Sequence, residues 1–358
     1  MTAMRYLTLG RSGLRVSEIA LGTMTFSAAG HRGDAARPSP GASWAWCASE
    51  ADARTIFERY LAAGGNVVDT ADVYAAGSSE PLVGELVRPV RDHVVLASKF
   101  GLSRSDGRVD ASGSGVRSMT IAVEGSLRRL GTDRLDLLWL HAWDGITPAE
   151  EIALGFDTLL RSGKVLHWGV SDSPAWFVAA LVQRSRDLGL APPVAVQLRY
   201  SVLDRSAELD LLPMSRWFDL GVAAFGVLGG GALSGKYTAA PSGTGRRGDG
   251  AALRDDERRV ACGVDAVAAA VGATAAQVAL AWARSRRVVC IVGARTPLQL
   301  DDTLGALELQ LGDEHLAALD ALAPPPRLFP HDVLATVADQ LRGGSVHDRF
   351  DVPPWAAF

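Results

Sequence analysis

The sequence predicts an α/β fold, a (β/α)8 TIM barrel entered through an N-terminal hairpin and carrying long βα loops. Two observations carry this expectation. Short apolar runs alternate with amphipathic helical stretches through about eight units, and that number favours a closed parallel sheet over an open doubly wound one. The chain has 358 residues and 48% hydrophobic content, enough for one large core, and barrels routinely exceed the usual domain length. A single domain over 1–358 is expected, with loops at 27–48 and 238–258 and a tail over 323–358.

The elements follow in order. Tyr6–Leu9 and Leu14–Val16 alternate around the turn Gly10–Gly13, the pattern of a hairpin. Ile19–Leu21 is a short strand ending at Gly22-Thr23-Met24. Ser49 caps a helix, with Asp52 placed as its acidic capping partner, and Gly64-Gly65 stops that helix before the strand Asn66–Val68. A helix fits Glu80–Val87 and a strand fits His93–Ser98. Met119, Val123, Leu127 and Leu130 share one helical face, Arg128 and Arg129 occupy its last turn, and Gly131 ends it. Strands then fit Leu135–Leu140, Val165–Val170, Val194–Leu198, Gly221–Phe225 and Val288–Val292, with helices between them.

Composition narrows the function. A formal net charge of -4 offers no basic excess for nucleic acid or an anionic membrane surface. Cys47, Cys262 and Cys290 are few, odd in number and far apart, so a disulfide framework or zinc site is not expected and a reducing, cytoplasmic setting is. The segment Met1–Tyr6 lacks the apolar run of a signal peptide. No apolar stretch is long enough to span a bilayer, and the seven histidines show no metal-ligand pattern, so neither a membrane nor a metal is expected.

Three apolar strands end in an ionisable residue: Val67-Val68 leads to Asp69, Val94–Ser98 to Lys99, and Leu137–Leu140 to His141. Successive strands of a barrel are neighbours, and their C-terminal ends share the mouth where catalytic groups sit. Tyr74, five residues past Asp69, reaches in from the following loop. A free phenol is a poor acid near neutrality, and a nearby ammonium favours its ionised form. Lys99 is expected to lower the Tyr74 pKa, Asp69 to hold Lys99, and His141 to orient a substrate oxygen, leaving Tyr74 as a positioned proton donor. Any one of these residues alone has an ordinary structural reading; four at one mouth point to a site. Trp143, two residues beyond His141, is expected as a substrate-facing wall.

Gly65–Tyr74, Ala97–Phe100 and Ser126–Asp133 with Leu140-His141 resemble the catalytic segments of the aldo-keto reductase family. The opening Leu9–Ser17 is also similar, and matches continue through Gly235-Lys236-Tyr237 to about residue 310. The resemblance implies the tetrad Asp69, Tyr74, Lys99 and His141, with hydride delivered from NADPH to a carbonyl carbon. It implies that the cofactor lies across the mouth, past Gly22, Thr23 and Met24. Ser171, Asp172 and Gln197 would hold the carboxamide, with Asp172 standing where Asn is usual. Phe225 would stack on the nicotinamide in place of the usual Tyr, within Phe225, Gly226, Val227 and Leu228. Gly229, Gly235 and Lys236 would lie near the pyrophosphate. Gly293, Arg295, Gln299, Asp302 and Thr303 would meet the adenosine phosphate.

Residue chemistry adds that Arg295, just before a helix start at Thr296-Pro297, suits the 2′-phosphate of NADPH. Gly243–Gly248 satisfies G-x-G-x-x-G but neither follows a strand nor opens a helix, so it is not read as a dinucleotide fingerprint. Ala75–Glu80 departs from the commoner start of this loop, and with 27–48 it leaves substrate identity open. The expected activity is NADPH-dependent reduction of an aldehyde or ketone; the alternative is an NADPH-binding regulatory subunit with little turnover.

Overall fold

In the computed structural model the described residues are 4–27, 47–104, 108–239, 253–342 and 344–349. The strands β1 (Tyr6–Thr8) and β2 (Arg15–Ser17) form the N-terminal antiparallel hairpin. The barrel strands are β3 (Ile19–Gly22), β4 (Val67–Asp69), β5 (Val95–Phe100), β6 (Leu135–Leu140), β7 (Val165–Ser171), β8 (Ala195–Arg199), β9 (Gly221–Phe225) and β10 (Val289–Val292). They are parallel and run in sequence order around the barrel, which closes where β10 pairs with β3.

Helices cover the outside. They are α1 (Glu50–Ala62), α2 (Ser79–Val87), α3 (Val116–Leu130), α4 (Ala149–Arg161), α5 (Ala175–Asp187), α6 (Leu211–Phe218), α7 (Lys236–Ala239), α8 (Asp255–Val271), α9 (Ala275–Ser285), α10 (Pro297–Gly305) and α11 (Asp313–Leu322). Beyond them lie the short helices α12 (His331–Thr336) and α13 (Ala338–Leu341). The predicted caps recur: the Ser49 side chain accepts from the Asp52 N–H at 3.1 Å, and Gly131 ends α3 at φ 63°.

Some boundaries differ from expectation for visible reasons. β5 begins two residues later than expected, because Arg88–His93 closes as a 3₁₀ turn with Pro89 at its start. It also runs on through Lys99, which has found a partner in Asp69. Part of the expected loop 238–258 is helical: α7 reaches Ala239 and α8 starts at Asp255. Asp255, Asp256 and Glu257 place carboxylates in the first turn of α8, where unpaired N–H groups favour negative charge. Gly243–Gly248, most of the loop 27–48 and the tail segment Pro353-Pro354-Trp355 lie outside the described residues.

Side chains on a strand alternate between faces, so each barrel strand divides its residues between two layers. Outward residues such as Leu21, Val68, Leu96, Leu138, Val170 and Val196 pack against the helices. Inward residues Ala20, Val67, Val95, Ala97, Leu137, Trp139, Ala195, Ala223 and Val289 fill the barrel. Leu9 and Val16 of the hairpin join this inner cluster, and Gly10 meets the first residues of β9, so the hairpin plugs the N-terminal end. One further step along the inward alternation places Asp69, Lys99 and Gln197 at the opposite end, where the column turns polar.

Trp139 is the bulkiest plug beneath that polar layer, and it is 2% exposed. Gly169, opposite it on β7, makes room: a Cβ there would sit 2.4 Å from the indole and 2.7 Å from the Ala195 carbonyl. Gly169→Ala is therefore expected to lower stability by about 1–3 kcal/mol, the usual cost of overpacking. Chemical denaturation checks this; an unchanged midpoint would remove Gly169 from the packing of the barrel interior.

Candidate active site

Four polar side chains meet at the open end of the barrel. Asp69 ends β4, Lys99 lies one residue from the end of β5, and His141 directly follows β6. Lys99 is 0% exposed and Asp69 3%. The Lys99 ammonium donates to Asp69 Oδ2 and, at 2.9 Å, to the Thr70 carbonyl. The other Asp69 oxygen accepts from Gln197 Nε2 at 3.0 Å. Tyr74 arrives on the turn after β4, its ring centroid 4.8 Å from Lys99 Nζ and its ring edge-on to His141 at 6.0 Å.

The electrostatics correct one expectation. Burial raises the Tyr74 pKa; the Lys99 charge pulls it back without overcoming burial, and Asp69 and Asp172 oppose Lys99. Tyr74 is thus a neutral phenol at working pH rather than a partly ionised one. Burial alone would depress the Lys99 ammonium, but Asp69 overcomes that and holds it above its ordinary value. His141 is pushed down to about 3, by burial first and by Lys99 second. Its Nδ1 has no hydrogen-bond partner among the described residues.

Asp69, Tyr74 and His141 open into a cavity of about 440 Å³, while Lys99 is buried and not part of its wall. At one end its wall holds Asp69, Tyr74, His141, Ser171, Asp172, Gln197 and Phe225. It continues past Gly22, Met24, Gly226, Val227, Leu228 and Lys236 to Gly293, Arg295, Gln299, Asp302 and Thr303. Gln197 donates through its amide nitrogen to Asp69 and also lines the cavity. At the far end the Thr296 side chain caps α10 and the Arg295 N–H donates to Gln299 Oε1 at 2.9 Å. Asp302 accepts from Thr274 at 2.8 Å and from Gln277 at 3.1 Å, so the start of α9 fixes its carboxylate.

Some predicted residues are not brought to this wall. Thr23 is fully buried beneath it, its hydroxyl donating to the Asp69 carbonyl at 3.1 Å. Gly229 and Gly235 shape the loop at positive φ, while Gly230, Gly231 and Ser234 between them line the cavity. Trp143 turns away: it stacks on Phe177 at 4.0 Å, and its indole N–H donates to the Thr147 carbonyl at 3.0 Å. An indole that needs both an apolar face and an acceptor finds both in this packing.

Sequence reasoning missed Thr25, Gly230, Gly231, Ser234, Ala276, Ile291 and Val292 in the wall. Ile291 was within reach, since alternation from the inward Val289 points it the same way. Ala276 carried no such signal, because its place depends on how α9 packs. A second cavity, of about 480 Å³, lies behind Asp172, Gln197 and Phe225, but Tyr74 and His141 are absent from its wall, so the chemistry belongs to the first. Among the described residues there is no group of metal-ligating side chains, and no single helix is long and apolar enough to cross a membrane.

The Aldo/keto reductase family model matches residues 18–324. The norsolorinic acid reductase stcV of Emericella nidulans is 33% identical over 331 residues, spanning 89% of this chain and 81% of the relative. The uncharacterized oxidoreductase YrpG of Bacillus subtilis is 35% identical over 338 residues, spanning 90% and 97%. The putative aryl-alcohol dehydrogenase AAD14 of Saccharomyces cerevisiae is 30% identical over 343 residues, spanning 90% and 87%.

A neutral imidazole at the mouth has a direct signature. With its pKa pushed down to about 3, the His141 ring is expected to show no titration between about pH 5 and 8, where a free histidine would change charge. Ring resonances compared between the wild type and His141→Gln check this; a His141 midpoint near 6.5 would contradict the desolvated setting described above.

Proposed function

This chain belongs to the aldo/keto reductase family, whose members are oxidoreductases acting on small carbonyl compounds, and from that premise we propose that it reduces an aldehyde or ketone with NADPH, Tyr74 giving the proton. The observation that carries this reading is the neutral Tyr74 phenol beside the buried Lys99–Asp69 pair, in a cavity that runs on to Arg295. The wall suits an extended dinucleotide. One end offers the Ser171 hydroxyl, the Gln197 oxygen and the Asp172 carboxylate to an amide, and Phe225 offers a ring face. The other end offers a helix start and a guanidinium to phosphate.

When bound, NADPH supplies the hydride. Tyr74 Oη gives its proton to the carbonyl oxygen as that oxygen gains charge. The Lys99 ammonium, kept protonated by Asp69, steadies the phenolate left behind. His141, neutral, directs one ring nitrogen at the same oxygen and holds the carbonyl in line. A bound cofactor and carbonyl would displace water from the cavity, which would strengthen each of these interactions. The name of the yeast relative, a putative aryl-alcohol dehydrogenase, makes aromatic aldehydes the first substrates to try.

Loss of nicotinamide absorbance with a panel of reactive carbonyls tests the activity, and no turnover with any of them would sink it. Tyr74→Phe is expected to keep cofactor affinity and lose turnover by about 10² or more, the scale of a lost general acid. Single-turnover rates close to wild type would take Tyr74 out of the mechanism.

Arg295→Ala tests the choice of cofactor. A charge-assisted hydrogen bond contributes about 1.5–3 kcal/mol, so NADPH affinity is expected to fall roughly 10- to 150-fold. NADH affinity should barely move. Equal loss for both cofactors in a fluorescence titration would assign Arg295 to structure instead.

A further inference from the structure

A second buried polar cluster lies on the outer side of β5, back to back with the site. Ser98, the neighbour of Lys99, points outward and donates to Glu80 Oε1 at 2.7 Å. Glu80, in the first turn of α2, is 0% exposed and also accepts from Arg129 of α3 at 2.7 Å. Asp72 sits beside this pair, on the turn between Asp69 and Tyr74. Its side chain is 0% exposed, and its one ion pair among the described residues is a long contact of 3.4 Å with Arg104. Its Oδ1 has no hydrogen-bond partner among the described residues. Its main-chain N–H donates to the Lys99 carbonyl at 3.2 Å.

Glu80 is fully provided for; Asp72 is not. A carboxylate left short of partners in the interior destabilises the fold. Its location suggests what that cost sustains. Arg104 stands in the loop that leaves β5, five residues past Lys99, and that loop is tied further on by the Arg104 N–H to the Ala111 carbonyl at 3.1 Å. The Asp72–Arg104 pair therefore joins the turn that carries Tyr74 to the loop that follows Lys99.

We propose that Asp72 is a positioning residue for the proton donor: its buried carboxylate, held by Arg104, fixes the Tyr74 turn against the end of β5 and so sets the distance from phenol to ammonium. This rests on the reading of Tyr74 as the donor. The ionised form does this work, because the attraction to Arg104 disappears when the carboxylate takes a proton. The charged groups facing Asp72 are Glu80 on α2, Arg104 after β5 and Arg129 on α3. The Lys99 ammonium lies on the inner side of the same strand. Burial, and then Glu80, push the Asp72 pKa up to about 7 from its ordinary 3.8. Stability is thus full below the ordinary value and is lost as pH rises through about 7, the range in which the carboxylate forms and the turn is held.

Asp72→Asn separates positioning from plain packing. The variant should melt higher than wild type at pH 8 and match it near pH 4, since it carries no buried charge. Turnover at pH 8 should nevertheless drop by about tenfold or more, the scale of a misplaced catalytic group, with KM little changed. The wild-type decline in kcat below pH 7 should be missing from the variant. Arg104→Gln, at a partly exposed side chain, should show the same loss of turnover and should fold whether or not Asp72→Asn does. Hydrogen exchange over Thr70–Ser79 gives a readout free of activity: protection should fall in both variants, and in the wild type below pH 7.

Wild-type kcat and an unchanged pH limb in both variants would overturn the proposal. So would equal loss of stability and turnover at pH 8, which would make Asp72 a packing residue. If the wild type turns over no carbonyl, the functional reading fails, and exchange over Thr70–Ser79 still decides whether Asp72 holds the turn.

Discussion

The Lys99–Asp69 ion pair is shut away from water at the top of the barrel's inner column, and the geometry of the mouth is arranged around that fact. Two charges in the interior persist only with each other and with hydrogen bonds for their remaining atoms. Lys99 finds Asp69 and the Thr70 carbonyl, and Asp69 finds Gln197 from the far side of the barrel. The Asp69 main-chain carbonyl accepts from both the N–H and the hydroxyl of Thr23. One carboxylate-bearing residue thus ties β3, β4, β5 and β8 together. Removing either charge would leave the other buried and unpaired, at a cost of roughly 3–5 kcal/mol. The dense packing of Trp139 into the space left by Gly169 gives this layer a floor that does not yield.

The alternation that buries Lys99 inward sends Ser98 outward, and β5 therefore serves two polar clusters at once. Inside, burial keeps the Tyr74 phenol neutral beside the ammonium and carboxylate. Outside, Ser98, Glu80 and Arg129 clamp α2 and α3 to the strand. The turn from Asp69 to Ser79 runs between these clusters, so its position is set from both sides. Under the proposed role of Tyr74 as proton donor, its phenol would have to be placed within tenths of an ångström. Two clusters back to back along one strand supply that placement without any flexible partner.

The fold was largely legible because its signals are local. Capping at Ser49, the left-handed Gly131 and the apolar runs of the strands each read out from a few neighbours, and repetition of the unit gave the closed barrel. The meeting of Asp69, Tyr74, Lys99 and His141 was legible for a related reason: an ionisable residue ending an apolar strand must meet its neighbours at one mouth. What escaped depends on contacts between distant segments. Trp143 looked like a wall residue by its distance from His141, but Phe177 and the Thr147 carbonyl, neither visible from spacing, turn it away. The direction of the Tyr74 pKa escaped because Lys99 is readable in sequence and the depth of burial is not. The start of α8 was hidden in a Gly- and Arg-rich stretch whose three acidic residues, Asp255, Asp256 and Glu257, were the missed signal.

Backbone strain follows the same division between frame and mouth. Among the described residues, the non-glycine residues at positive φ are Ala75, Ala76, Asp172, Asp219 and Arg287. Asp219 caps the C-terminus of α6 and Arg287 follows the end of α9, both places where a left-handed residue is the ordinary way to stop a helix. The other three sit at the open end of the barrel, Ala75 and Ala76 directly after Tyr74 and Asp172 directly after β7. Left-handed geometry costs a residue with a Cβ about 1–2 kcal/mol, and glycine would remove most of that at Ala75 or Ala76. The turn keeps its shape because Ser78 clips back onto the Ala75 carbonyl through both its N–H, at 3.1 Å, and its hydroxyl, at 2.7 Å. Alanine in place of glycine removes the freedom that would let Tyr74 swing. The strain, like the buried charges, is carried by the apolar barrel and hairpin below.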